Sequence, residues 1–381
     1  MSNDKPLKSQ SKQLFCSKPF EWFEITQLNG RGGTYLCCPS WLNKSVGNLQ
    51  QQSVDEIWNG EQAQKIRRSI LDGSFKYCDS SRCAFLQTQS GPVQKIEDVT
   101  DENLKTIINE NLSVLPYGPK KIICTYDQSC NLSCPSCRDK VIVEIEAEQE
   151  ILKIQEKLEN EALKNAEYLH ITGSGDPFGS PYFRKWLQTM NREEMPNLQE
   201  IYLQTNGQLW TPRMWNTIAE NIRELIISAD IGIDAATPET YGINRRGGNF
   251  ETLLKNLEFI SSLRQNGLLR FLKISMVVQA NNFREMPDFV KLGHCFNADV
   301  IYFGQLVNWG TFSNEEFHRR AVHLPTHPLH FEFAQLLKDE VFEHPNVILG
   351  NLTEVKKHSQ ESLSQKVLKK TQNLLGQLIH K

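Results

Sequence analysis

The chain has 381 residues, with 42 Lys and Arg against 45 Asp and Glu and a formal net charge of −3. This balance gives no broad basic field for a nucleic-acid backbone, and no apolar run approaches the length of a membrane span. The polar opening MSNDKPLKSQSKQLF has no apolar stretch of the kind a secretory signal needs, so the expectation is a cytoplasmic protein with neither nucleic acid nor membrane as partner.

Residues 1–13 read as a disordered polar lead. Residues 14–90 form a loop-rich segment in which runs at 21–26 and 34–37 flank Asn29-Gly30, a hairpin signal. A helical pattern over 53–71 starts at Ser53, with Glu56 three residues on as in a capping box. Little apolar sequence is available here, so a metal centre would help to hold the segment together. Residues 91–118 read as a connector with one helix.

From 119 to 312 the pattern alternates. Strand-like runs at 121–126, 168–172, 201–205, 224–230, 271–279 and 300–306 are separated by helical runs such as 144–166, 182–190, 250–265 and 283–296. Six repeats predict an α/β fold, a partial (β/α)6 barrel of parallel strands, and an open doubly wound sheet fits the same alternation. Residues 313–381 read as a C-terminal helical extension.

Ten cysteines are present. In a reducing compartment clustered cysteines more often bind metal than pair. Cys130, Cys134 and Cys137 fall within eight residues, just after the first strand of the alternating region. Three thiolates on one loop can hold three irons of a four-iron cluster and leave one iron open for another ligand. A zinc site completed by Cys124 is the alternative, but Cys124 reads as a core-facing strand residue. Further motifs close the later strands: Thr172-Gly173-Ser174-Gly175-Asp176-Pro177, Gln204-Thr205-Asn206-Gly207, Ile233-Asp234-Ala235-Ala236-Thr237 with Tyr241 and Arg245-Arg246-Gly247-Gly248, and Val277-Val278-Gln279 with Asn282. All lie at the carboxyl ends of predicted strands, the edge where α/β proteins build their sites.

This set resembles the radical S-adenosylmethionine (SAM) superfamily, over residues 120 to about 309. The resemblance implies that Cys130, Cys134 and Cys137 hold a [4Fe-4S] cluster that binds SAM. It also implies that Ser174, Gly175 and Asp176 match the GGEP-type turn around the methionine amino group, and that Arg245 meets the SAM carboxylate. Asn206, Asp230 and Gln279 are further cofactor-binding candidates. Two positions depart from the family pattern: Ser136 stands where an aromatic is usual and Gly232 where serine is frequent. Ser228 or Asp230 could take over the ribose contact, and an inward acid on a strand is otherwise a structural ion pair.

Upstream, Cys16, Cys37-Cys38-Pro39, Gly47-Asn48-Leu49, Ser53, Glu56-Ile57-Trp58 and Cys78 with Cys83 resemble the SPASM or shorter twitch auxiliary-cluster domain of the same superfamily, placed here before the barrel. Cys16, Cys37, Cys78 and Cys83 are the implied ligands of a second cluster. Adjacent residues on a strand point apart, so only one of Cys37 and Cys38 is expected to ligate. A zinc site with the same ligands is the alternative.

The resemblance implies reductive SAM cleavage and hydrogen abstraction from a peptide or a small carbohydrate, with flavodoxin or ferredoxin as electron donor. A non-catalytic metal-binding scaffold that engages a partner is the rival reading. Trp309, after the sixth strand, is expected on the site's rim. Cys295 reads as a buried packing residue, His170 as structural, and His323, His327 and His330 as surface or packing residues. The charge run at 144–164 reads as the solvated face of a helix.

Overall fold

The computed structural model describes residues 14–357. The polar lead and the end of the C-terminal extension lie outside the described residues. The described chain forms two compact units, the first of residues 14–130, 143–204 and 216–227, the second of 131–142, 205–215 and 228–357.

The first unit begins with β1 (Leu14–Cys16) and the hairpin β2 (Trp22–Thr26) and β3 (Gly33–Tyr35), followed by β4 (Gly47–Asn48). Asn29 and Gly30 take positive φ at the hairpin turn, as the Asn-Gly pair predicts. The helical run at 53–71 is two helices, α1 (Val54–Trp58) and α2 (Glu61–Leu71). The Ser53–Glu56 capping box starts α1. The break falls at Asn59, whose side-chain oxygen accepts from Leu115 N (2.9 Å) while its amide donates to the Leu115 carbonyl (3.1 Å). β5 (Val93–Lys95) pairs antiparallel with β1, and α3 (Glu102–Glu110) is the connector's helix. β6 (Lys121–Cys124), α4 (Glu148–Lys157), β7 (Tyr168–Ile171), α5 (Pro181–Thr189) and β8 (Glu200–Thr205) follow. Ser180 caps α5 through Tyr182 N and Phe183 N, with proline in the first turn. β6 pairs parallel with β7 and β7 with β8. β2 pairs parallel with β6, so the N-terminal hairpin extends the sheet of the first barrel strands.

The second unit holds β9 (Ser228–Gly232), α6 (Pro238–Asn244), α7 (Phe250–Gln265), β10 (Phe271–Val278), α8 (Met286–Cys295), β11 (Val300–Gln305) and β12 (Val347–Ile348). β9, β10, β11 and β12 are parallel neighbours in that order. β10 alternates half-buried and buried residues along its length. The fourth predicted strand shifts from 224–230 to β9, because Leu225 and Ile226 still close a turn on Ile222 and Arg223. β12 adds a strand to a region expected to be helical.

Parallel strands alternate with helices in both units, β6 to β8 in the first and β9 to β11 in the second, the α/β pattern expected from the sequence. No helix among the described residues is long and apolar enough to cross a membrane.

Candidate active site

In the first unit, the turn after β7 is built on Thr172. Its hydroxyl accepts from the backbone N–H of Gly173 (2.6 Å), Ser174 (3.1 Å) and Gly175 (3.1 Å). Ser174 Oγ donates to the Thr125 carbonyl (2.7 Å), and Asp176 N donates to the Ser129 carbonyl (2.9 Å). A Cβ on Gly175 would lie 2.5 Å from the Asp127 carbonyl oxygen and 2.7 Å from that of Ser129, so only glycine lets this turn meet the start of the cysteine loop. Asp127, fully buried, accepts from Ser129 N (2.8 Å) and from the Ser180 hydroxyl. Asp176 Oδ1 accepts from Phe178 N and Gly179 N, which holds the turn closed. Thr172 and Asp127 were missed as site builders; a hydroxyl residue directly before Gly-Ser-Gly was the available signal.

In the second unit, the loop carrying Cys134 and Cys137 is braced from several sides. Asn206 Nδ2 donates to Asn131 Oδ1 (2.9 Å). Arg246 donates from Nε to Ser133 Oγ (3.0 Å) and from Nη2 to the Asp139 carbonyl (2.5 Å), and its own carbonyl accepts from Ser133 N (3.0 Å). Cys134 is buried and Cys137 exposed. Arg245 Nη1 lies 3.8 Å from Cys134 Sγ, and Arg138 Nη2 lies 3.3 Å from Cys137 Sγ. Burial pushes the Cys134 thiol up while Arg245 beside it pulls the other way. Cys130, on the first unit's side of the loop, is buried. Donors facing thiol sulfurs suit thiolate ligands of a metal centre.

Arg245 also pairs with Asp234 (Nη2 to Oδ2, 3.0 Å), whose other oxygen accepts from Val277 N (2.7 Å). Burial opposes the guanidinium's charge, but Asp234 and Cys134 outweigh it and hold Arg245 charged. Asp234 is thus the acid at Arg245. Asp230 instead binds Lys273 Nζ (2.7 Å) and Ser275 Oγ (2.8 Å). Gln279 is buried, with Oε1 3.5 Å from Arg320 Nη1. Asn282 donates to the Asp234 and Val277 carbonyls (2.9 Å each). Asp234 and Arg246 lay inside a quoted motif without an assigned role, because their partners are set by the fold.

The N-terminal cysteines meet. Cys16, Cys37, Cys78 and Cys83 line one small cavity, together with Lys18 and apolar groups including Trp41 and Phe85. Cys38 is not in that lining; it lies half-buried near Glu24 and Ser40. Burial pushes the thiols of Cys16, Cys37 and Cys78 up to about 12. Neutral thiols crowded in an apolar cavity would ionise only with strong positive charge among them, as ligation to iron supplies. The donor set therefore fits a cysteine-ligated cluster. Lys18 Nζ sits 3.7 Å from the Trp22 ring centroid.

Three of the blander expectations change or sharpen. Cys295 is exposed on α8, not buried, because it falls on that helix's outer face. The charge run at 144–164 is not simply solvated: within the first unit Lys153 Nζ and Lys157 Nζ donate to the Gln50 and Gln52 carbonyls (2.8 and 2.6 Å), and Glu161 accepts from Val54 N (2.6 Å). His327 spends both ring nitrogens, on the Arg319 carbonyl and on Leu329 N, as a packing residue does. Trp309, in the loop after β11, is 68% exposed.

The SPASM iron-sulfur cluster-binding domain family matches residues 16–84, and the Radical SAM superfamily matches residues 128–293. These matches give the chain a SPASM region followed by a radical SAM region. The two matches fall on the cavity cysteines and on the cysteine loop. Among solved structures it is similar to TYW1 with a lysine-pyruvate adduct bound, at 15% identity and a TM-score of 0.36, covering 69% of this chain and 82% of that one. It is similar to Streptococcus suis SuiB bound to S-adenosylmethionine (12%, TM-score 0.40, 76% of this chain and 61% of that one). It is also similar to anSMEcpe with bound AdoMet and Kp18Cys peptide (16%, TM-score 0.39, 60% and 63%). The chain thus spans less than two thirds of the length of the latter two. No curated protein matches it in sequence.

Proposed function

We propose that this enzyme cleaves SAM reductively at a four-iron cluster on Cys130, Cys134 and Cys137, and that the 5′-deoxyadenosyl radical so formed abstracts hydrogen from a substrate. The supporting observation is the loop that offers three thiols between residues 130 and 137, with guanidinium donors on the sulfurs of Cys134 and Cys137. Three thiolates leave one coordination position for the methionine end of SAM. The backbone of Ser174, Gly175 and Asp176, fixed by the Thr172 hydroxyl, would bind the methionine amino group. Arg245, held charged by Asp234, would face the carboxylate. Asn206, Asp230 and Gln279 complete the proposed cofactor-binding set, Asn206 by bracing the loop.

A second cluster would sit on Cys16, Cys37, Cys78 and Cys83, in an auxiliary domain over residues 14–90, joined through 91–118 to a barrel over 119–312 and a C-terminal extension from 313. Four cysteines satisfy four irons. Such a cluster has no free iron for substrate, which favours a structural or electron-accepting role. The substrate class we favour is a peptide over a small carbohydrate, with exposed Trp309 offering an aromatic face to a side chain. Flavodoxin or ferredoxin would supply the electron.

The test is iron and product analysis of anaerobically purified protein. About eight irons are expected, and changing Cys130, Cys134 and Cys137 together to Ala should leave about half of them and abolish 5′-deoxyadenosine formation under dithionite. Continued formation by the triple variant would show that the triad is not the site.

A further inference from the structure

We propose that Arg31, on the turn between β2 and β3, sets the geometry of the loop that carries the three cysteines, so that the N-terminal domain positions ligands of the other cluster. Its Nη1 donates to the carbonyl of Tyr126, just past β6. Its Nη2 lies 3.1 Å from Glu144 Oε2 and its Nε 3.2 Å from Glu150 Oε2. Tyr126 and Glu144 flank residues 127–143, so one guanidinium grips both ends of the cysteine loop. Glu144 carries that grip further: its N–H donates to Ser129 Oγ (3.0 Å), the residue before Cys130, and its carbonyl accepts from the Tyr182 hydroxyl (3.2 Å).

The Arg31 side chain is 11% exposed and that of Glu144 20%, so the pair is shielded more than a surface ion pair. The planar fork matters, because three acceptors in different directions need donors in fixed positions, which a lysine ammonium on a flexible stem does not give. Simple docking of the N-terminal domain does not require Arg31. Gln50 Nε2 to the Glu150 carbonyl (2.8 Å) and Lys153 Nζ to the Gln50 carbonyl (2.8 Å) tie this domain to α4 without touching the loop. Those contacts supply a control. Arg31 is therefore a positioning residue, and the inference rests on the reading that Cys130, Cys134 and Cys137 hold the SAM-binding cluster.

The test is hydrogen exchange on the full-length, cluster-loaded protein, with EPR of the reduced clusters with and without SAM. Arg31→Met should speed amide exchange over residues 127–143 about tenfold, the scale of losing a charge-assisted hydrogen bond. Glu144→Gln, which leaves the Arg31 contacts to Tyr126 and Glu150, should have a smaller effect in the same direction, and the double variant should go no further than Arg31→Met. Arg31→Lys should behave as Arg31→Met. Lys153→Met, which removes one docking contact and none of the clamp, should leave that segment at the wild-type rate. The SAM-induced change in the EPR spectrum should weaken in Arg31→Met while the N-terminal cluster's signal is kept. Wild-type exchange in Arg31→Met, full rescue by lysine, or an equal effect from Lys153→Met would overturn the proposal. The exchange result stands whether or not the triad binds SAM. A normal clamp signature without any SAM-dependent EPR change in the wild type would instead overturn the assignment of the cluster.

Discussion

Gly232 and Arg245 form a matched pair, and Gly232→Ser, which introduces the residue the superfamily often carries there, should separate them. A Cβ at position 232 would lie 2.4 Å from Arg245 Nη2, 3.2 Å from its Cζ and 3.3 Å from Nη1. The guanidinium has little room to yield, because Asp234 holds it at 3.0 Å and Cys134 Sγ lies 3.8 Å from Nη1. Crowding that kept the pair would cost about 1–3 kcal/mol. Breaking it would leave the Asp234 carboxylate, only 3% exposed, without its cation, at about 3–5 kcal/mol. The expected loss is about 3 kcal/mol, read as roughly hundredfold faster local opening at β9 and α6 by native-state hydrogen exchange. In an Arg245→Met/Asp234→Asn background the same substitution should cost less than about 1 kcal/mol, since no pair remains to break. Equal costs in the two backgrounds would refute the steric coupling.

Cys37→Ser should remove about half of the bound iron while Cys38→Ser keeps it all, because Cys37 and not Cys38 lines the cavity with Cys16, Cys78 and Cys83; the reverse pattern by iron analysis would move the ligand to Cys38. Burial raises the Glu24 carboxyl from 4.5 to about 7, against the Trp22 indole N–H and Lys18. A raised folded-state value favours the protonated form. Its stabilisation is therefore complete below about pH 4.5 and is lost as pH rises through 7, about 3 kcal/mol in all. Glu24→Gln should flatten this slope and melt above the wild type at pH 8, and parallel melting curves across pH 5 to 8 would contradict it.

Much of the site was legible because its signals are local. The spacing of Cys130, Cys134 and Cys137, the Ser53–Glu56 capping box and the alternation along β10 each span a few residues of covalent chain, so the sequence alone determined that a three-thiol loop follows a strand and that helices and parallel strands alternate behind it. What tertiary structure decided lies between residues far apart in the chain. Arg245 meets Cys134 across 111 positions, and Arg31 meets Tyr126 across 95 and Glu150 across 119. The gathering of Cys37, and not Cys38, beside Cys16, Cys78 and Cys83, the pairing of Asp234 rather than Asp230 with Arg245, and the docking of the charged 144–164 face likewise depended on which surfaces the chain's path brought together. An ionic side chain in an isolated segment looks solvated. Only the completed fold removes water from it and names its partner, which is why the cysteine triad could be read from spacing while the partners of Arg31 and Arg245 could not.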